Sequence, residues 1–114
     1  MHSGYCGQIA DFLADHPDSI IGRLHQTVAE DGFSRVWNTQ TLAWQEELDC
    51  LQRAFRQIVA TDWCSSTWTV LLEYEIARRG RRVDAIVLTN YAIIVLEFKI
   101  GLERADGAFA MASL

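Results

Sequence analysis

Two apolar runs near the C-terminal end, Arg82-Val83-Asp84-Ala85-Ile86-Val87-Leu88 and Tyr91-Ala92-Ile93-Ile94-Val95-Leu96-Glu97-Phe98-Lys99-Ile100, are separated only by Thr89-Asn90. Both are rich in β-branched residues and therefore read as strands, with Asn90 able to adopt the left-handed backbone of a tight turn. Asp84, Glu97 and Lys99 interrupt these runs with charge. A charge set into a sheet interior is costly unless it is paired or binds a metal, so these three residues require a chemical explanation.

Upstream, Trp68 to Ile76 reads as a further strand, in which Glu73 and Glu75 alternate with apolar neighbours, and Gly80 supplies the turn that follows. Three consecutive strands over residues 68–100 then form an antiparallel meander. Before them, Ile9, Phe12 and Leu13 are spaced as one helical face, and Pro17 stands where a first helical turn tolerates it, ahead of Ile20, Ile21, Leu24 and Val28. After the Asp31-Gly32 break, Asn38 or Thr39 can cap a third helix with a buried face of Trp44, Leu48, Leu51, Phe55 and Ile58. The helices thus occupy residues 8–58, Asp62 to Ser66 read as a loop, and residues 102–114 form a weakly patterned tail, a helix start or a frayed end from Ala105. Residues 1–114 are expected to form one α/β (α+β) domain, because a chain of 114 residues that is 50% hydrophobic suffices for one ordinary core.

Absence of a basic leader before an apolar stretch, and of any run of roughly 18 to 20 apolar residues, predicts a cytoplasmic protein that does not engage a membrane. Cys6, Cys50 and Cys64 lack the close pairs of zinc knuckles or disulfide frameworks and are expected to be reduced, mostly buried thiols. The net charge of −5 argues against nonspecific attraction of nucleic acid over the whole surface, so a polyanion needs a local basic patch or a bound cation. No Gly-x-x-x-x-Gly-Lys-Ser/Thr segment exists, which removes the usual means of hydrolysing ATP.

With Thr89-Asn90 as a two-residue turn, Leu88 pairs with Tyr91 and Asp84 falls opposite Val95, on the face shared by Val95, Glu97 and Lys99. Opposed residues lie about 5 Å apart and diagonal ones about 7 to 8 Å, so the Asp84 and Glu97 carboxylates can converge on one cation. The same count around Arg79-Gly80 puts Glu75 opposite Asp84, with Glu73 farther along, in supporting positions. Two carboxylates on a hard cation, with Lys99 beside the attacking water or scissile phosphate, meet the needs of magnesium-assisted hydrolysis. Glu47, next to Leu48 on the long helix, is better placed than Glu46 or Asp49 to complete the set. The competing reading is a solvated face on which Lys99 pairs with Asp84 or Glu97.

Arg78, Arg79, Arg81 and Arg82 flank Gly80 at a hairpin tip, either as phosphate contacts that position a nucleic-acid backbone or as a soluble turn. His2, His16 and His25 have no spacing that suggests zinc and read as surface or cap residues. Trp37, Trp44, Trp63 and Trp68 can stack on bases, but core packing suits most of them better.

An acidic residue in one strand followed by Glu-x-Lys in the next resembles the PD-(D/E)XK nuclease superfamily, with Asp84, Glu97 and Lys99 as the matching site residues. A closer likeness spans about residues 9 to 101. It rests on Ile9-Ala10-Asp11-Phe12-Leu13, Ile20-Ile21-Gly22-Arg23-Leu24, Gln40 with Trp44 and Glu47, Glu73, Gly80-Arg81-Arg82-Val83-Asp84, and Leu96-Glu97-Phe98-Lys99-Ile100-Gly101. These resemble the N-terminal nuclease-like module of bacterial Schlafen-type DNA/RNA helicase proteins.

The resemblance implies a restriction-endonuclease-like core and a metal-dependent nuclease acting on DNA or RNA. Mg2+ or Mn2+, as one or two ions, would be held by Asp84, Glu97 and Glu47, with Lys99 catalytic. Relatives of this kind continue after Glu-x-Lys with a full helix and a further strand, whereas fifteen residues follow Lys99 here. A truncated or partner-completed module is therefore expected, with the strand bearing Glu97 as an exposed edge open to pairing with a second chain. The alternatives are an inactive nucleic-acid-binding or regulatory module and a nonfunctional gene remnant.

Overall fold

The computed structural model describes residues 3–30, 37–76, 81–98 and 109–113. In chain order the elements are β1 (Tyr5–Gln8), α1 (Ile9–Ala14), α2 (Pro17–Glu30), α3 (Trp37–Thr61), a 3-10 turn (Trp63–Thr67), β2 (Thr69–Ile76), β3 (Arg81–Leu88), β4 (Ile93–Phe98) and β5 (Phe109–Ser113). The strands form one antiparallel sheet in the order β1-β2-β3-β4-β5. Among the described residues no helix is long and apolar enough to cross a membrane.

Local chemistry explains the helix boundaries. α1 ends where the Asp15 amide donates back to the Asp11 carbonyl at 2.9 Å, two residues ahead of Pro17. Pro17 then opens α2 with the φ a helix needs and no N–H to satisfy. His16 caps that helix: its carbonyl accepts from the Ser19 and Ile20 amides at 3.0 and 3.3 Å, and its Nδ1 accepts from the Asp18 amide at 3.1 Å. At the end of α3, Asp62 caps the 3-10 turn by accepting from the Cys64 amide, and Ser65, fully buried, donates its hydroxyl to the Asp62 carbonyl at 2.7 Å.

Trp44, Leu48, Leu51 and Phe55 recur along α3 at helical spacing and are all buried. They close on Ile9, Phe12, Ile20 and Leu24 from α1 and α2, and on Val70, Leu72, Ala85, Val87 and Leu96 from the sheet. Phe12 sits at the centre, edge-on to Tyr5 and Phe55 with ring centroids 5.7 and 5.6 Å apart. Gln52 ties α3 to α1 by donating to the Phe12 carbonyl at 3.2 Å. Ile58, expected in this face, is 37% exposed, because Val59, four residues beyond Phe55, packs against the core in its place.

β2, β3 and β4 form the expected meander, but both of its connections are longer than the sequence counts assumed. Leu88 pairs with Ile93 rather than Tyr91, which leaves a four-residue loop at 89–92. Thr89 closes that loop: its Oγ1 accepts from the Tyr91 and Ala92 amides at 3.1 and 2.9 Å, and its own amide donates to the Ala92 carbonyl at 3.0 Å. A two-residue turn of the hairpin type asks for positive φ at one or both central positions, and β-branched Thr89 resists it. Ile76 pairs with Arg81, so four residues also separate β2 from β3. Val95 consequently faces Ile86 instead of Asp84, and Glu75 faces Arg82 instead of Asp84.

Two strands of the sheet were not foreseen. β1 pairs with β2 through Tyr5↔Leu72 to Gln8↔Thr69, and β5 pairs with β4 through Ile94↔Ser113 to Phe98↔Phe109. β4 is therefore an interior strand rather than an exposed edge, and residues 109–113 are neither helix nor frayed tail. The helices cover one face of the sheet. On the other, Ser3, Cys6, Thr69, Leu71, Tyr74, Ile86, Leu88 and Ile93 line an apolar cleft of about 550 Å³.

Smaller expectations also change. Cys6 and Cys64 are exposed and Cys50 is half-buried, so none is a core thiol. His25 is buried rather than at the surface, edge-on to Trp44 and hydrogen-bonded through Nε2 to Thr41 Oγ1 at 2.6 Å. Trp63 is 74% exposed, whereas Trp44 lies in the core and Trp68 packs partly against it.

Candidate metal centre

α3 and the centre of the sheet meet at three carboxylates. Glu47 lies three residues after Trp44 and so shares the buried stripe of α3, which directs it toward β2 and β3. There it meets Glu73 and Asp84, and one oxygen from each of the three lies within 4.8 Å of the others.

The strands accommodate this by a shared irregularity. The β2–β3 register runs through Leu72↔Ala85 and resumes at Tyr74↔Val83, with Glu73 and Asp84 between. Leu72 and Ala85 belong to the core, whereas Tyr74 lines the cleft on the other face. Glu73 takes a φ of 52°, a left-handed conformation that costs a non-glycine residue roughly 1 to 2 kcal/mol and breaks the strand's alternation at this point. Gly4 lies against it: its amide donates to the Leu72 carbonyl at 2.9 Å, and a Cβ there would approach Leu24 to 2.6 Å. A side chain at residue 4 would have to displace the end of Leu24.

The three acids have different surroundings. Glu73 Oε2 accepts from Trp44 Nε1 at 3.3 Å, and Arg82 brings a guanidinium nitrogen to 3.8 Å from Oε1. Asp84 Oδ2 accepts from the Phe98 amide at 2.8 Å, just beyond the last rung of the β3–β4 ladder at Ala85↔Leu96. Glu47 is 8% exposed and has no hydrogen-bond or ion-pair partner among the described residues. Burial, followed by the repulsion of Asp84 and Glu73, pushes the Glu47 carboxyl up to about 9. Burial also raises Glu73 to about 7, against the lowering effect of the Trp44 hydrogen bond and with a further rise from Asp84. Asp84 is raised by burial, lowered by the Phe98 amide and raised again by Glu97.

The sequence-derived candidates are thus brought together in part. Asp84 and Glu47 converge. Glu97 follows Asp84's position when the β3–β4 count is continued, and its charge reaches Asp84. However, Ile94, Leu96 and Phe98 all pack toward the core, so alternation along β4 puts Glu97 with Val95 on the opposite side, outside the converging three. Glu73, assigned only a supporting position from sequence, stands in the centre. Part of its signal was present in the poor fit of Arg79-Gly80 to a two-residue turn, since a four-residue connection between β2 and β3 moves Glu73 into register with Asp84. Glu75 lies opposite Arg82 and is half-buried. Arg82 is mostly buried beside Glu73 rather than free at a hairpin tip. Arg78, Arg79 and Lys99 lie outside the described residues, and only the backbone of Arg81 is described.

Three closely set oxygen donors suit a hard divalent cation such as Mg2+, Mn2+ or Ca2+. Without a cation, such a set must hold protons or suffer mutual repulsion. Comparison with protein-family models, with curated proteins and with solved structures returns no match for the chain.

Proposed function

We propose that the chain is a divalent-metal-dependent phosphodiesterase module acting on nucleic acid, with a restriction-endonuclease-like core. The observation that carries this reading is the convergence of Glu47 from α3 with Asp84 from β3, two of the residues singled out by the resemblance to PD-(D/E)XK nucleases. The donor chemistry supports Mg2+ or Mn2+, because among the described residues the converging donors are all carboxylate oxygens, with no imidazole or thiolate in the group.

A cation bound by this set supplies charge neutralisation at a phosphate and lowers the pKa of a coordinated water. The protein's own residues provide the rest. Asp84 and Glu47 are the anionic holders, and the Phe98 amide fixes the orientation of Asp84. Glu97 adds negative charge beside Asp84, and Lys99 is the residue assigned to orient water or offset charge on the scissile phosphate. Arg78 and Arg79, in the sequence between β2 and β3, and Arg81, the first residue of β3, are the phosphate-positioning candidates, whereas Arg82 lies beside Glu73.

The test is cleavage of single- and double-stranded DNA and RNA in Mg2+ or Mn2+, with chelator as the control. Wild-type cutting is expected to need the metal and to drop by about 100-fold or more in both Asp84→Ala and Lys99→Ala. Absence of cutting by the wild type, or cutting that survives Asp84→Ala, overturns the reading. Nucleic-acid binding that persists without cutting and ignores chelator would favour an inactive binding module.

A further inference from the structure

We infer that Glu73 is a direct ligand of the divalent cation, so that the protein ligand set is Glu47, Glu73 and Asp84, with Glu97 outside it. This rests on the metal-site half of the reading above and is independent of whether nucleic acid is cut.

Distance is the first support. A hard cation holds oxygens at roughly 2.0 to 2.6 Å, so its ligands lie at most about 4 to 5 Å from one another across the ion. The three oxygens at Glu47, Glu73 and Asp84 fall within 4.8 Å and so within one coordination shell. Glu97 is not in that group, and the regular β4–β5 ladder from Ile94 to Phe98 allows no break in alternation that would bring it round.

Glu47 supplies an independent indication that something binds here. It is more than nine-tenths buried, points into the cluster, and has no hydrogen-bond or ion-pair partner among the described residues. Its oxygens keep a little contact with water, which leaves them open to a cation where no described protein group satisfies them. Charge points the same way: among the described residues the three carboxylates have the Arg82 guanidinium beside them at 3.8 Å from Glu73, and a divalent cation offsets the negative charge left over.

Glu73 is also built into place. The left-handed residue turns it away from the face that Leu71 and Tyr74 share, and Trp44 Nε1 fixes its carboxylate plane by holding Oε2. Trp44 is itself immobilised, 1% exposed and braced edge-on by His25 with ring centroids 4.8 Å apart. Arg82, at 3.8 Å from the second oxygen, neutralises charge without making a hydrogen bond at that distance.

The experiment is Mn2+ binding to the full chain, followed by the loss of the free-ion paramagnetic resonance signal, with circular dichroism confirming fold. Wild type, Glu73→Gln, Glu97→Gln and the exposed α3 control Glu46→Gln are compared. Glu73→Gln is expected to weaken Mn2+ by at least about tenfold, with Glu97→Gln within about threefold and Glu46→Gln unchanged. Glu73→Asn, whose side chain suits a positive φ, gives the same loss should the glutamine variant fold poorly. Wild-type affinity in both position-73 variants overturns the inference, and a loss confined to Glu97→Gln does so while leaving a metal site in place. Failure of wild type to bind Mn2+ overturns both this inference and the phosphodiesterase reading. Binding that depends on Glu73 in a protein that cuts no nucleic acid upholds the inference and removes only the enzymatic reading.

Discussion

Replacing Glu47 by Gln should stabilise the metal-free protein at neutral pH, against the usual outcome for a buried polar residue. Glu47 is raised from 4.5 to about 9 in the fold, so between those values the native state holds a proton that the unfolded chain has released. The native state then binds more protons, and stability is greatest below pH 4.5 and falls as pH rises until about 9. One retained proton corresponds to about 1.4 kcal/mol per pH unit, or roughly 3 kcal/mol between about pH 5.5 and about pH 7.5. Glu73, raised to about 7 by burial, acts with the same sign over the lower part of that window. For a chain of this size 3 kcal/mol moves the melting midpoint by about 10 °C.

The assay is thermal unfolding in chelator across this pH range, repeated with excess Mg2+. The wild-type midpoint should fall with rising pH and the Glu47→Gln midpoint should fall much less, so that the variant is the more stable at about pH 7.5 by on the order of 3 kcal/mol. Mg2+ should raise the wild-type midpoint more at about pH 7.5 than at about pH 5.5, since binding requires ionised carboxylates. A wild-type midpoint that is flat or rises with pH, or a variant less stable than wild type at neutral pH, refutes the argument.

Two further outcomes follow from packing and exposure. Phe12→Ala removes a fully buried ring between Tyr5 and Phe55 and should cost about 3 to 5 kcal/mol in chemical denaturation; a loss below about 1 kcal/mol would mean that α1 is not seated on the core. Thiol labelling of the native protein should modify Cys6 and Cys64 ahead of half-buried Cys50, which mass spectrometry of the peptides would show; Cys50 reacting first would contradict the packing of α3.

Periodicity made α3 and the three-strand meander legible, because Trp44, Leu48, Leu51 and Phe55 can share a face only in a helix and the runs at β3 and β4 are long and β-branched. β1 escaped because Tyr5-Cys6-Gly7-Gln8 is too short to show alternation and its partner β2 lies more than sixty residues away. β5 escaped because Phe109 to Ser113 contains mostly small residues with no β-branched signal. Register was the hardest quantity to read: a side-chain hydroxyl at Thr89 decides the loop length, and each two-residue error there moves an opposing carboxylate by two positions. Asp84 was recoverable because it interrupts an apolar run, and Glu47 because it stands next to Leu48 on the long helix and matches the helix carboxylate of the resemblance. The place of Glu73 among the three converging acids depended also on a backbone conformation that residue type does not announce.

The left-handed residue in the middle of β2 sets two demands against each other at one position. A sequence redesigned for backbone comfort alone would write glycine or asparagine at residue 73, gain thermal resistance, and leave α3 facing a gap where an acid stood. Engineering for robustness at that site should therefore be scored on ion affinity as well as melting behaviour, since the more comfortable choice removes the donor.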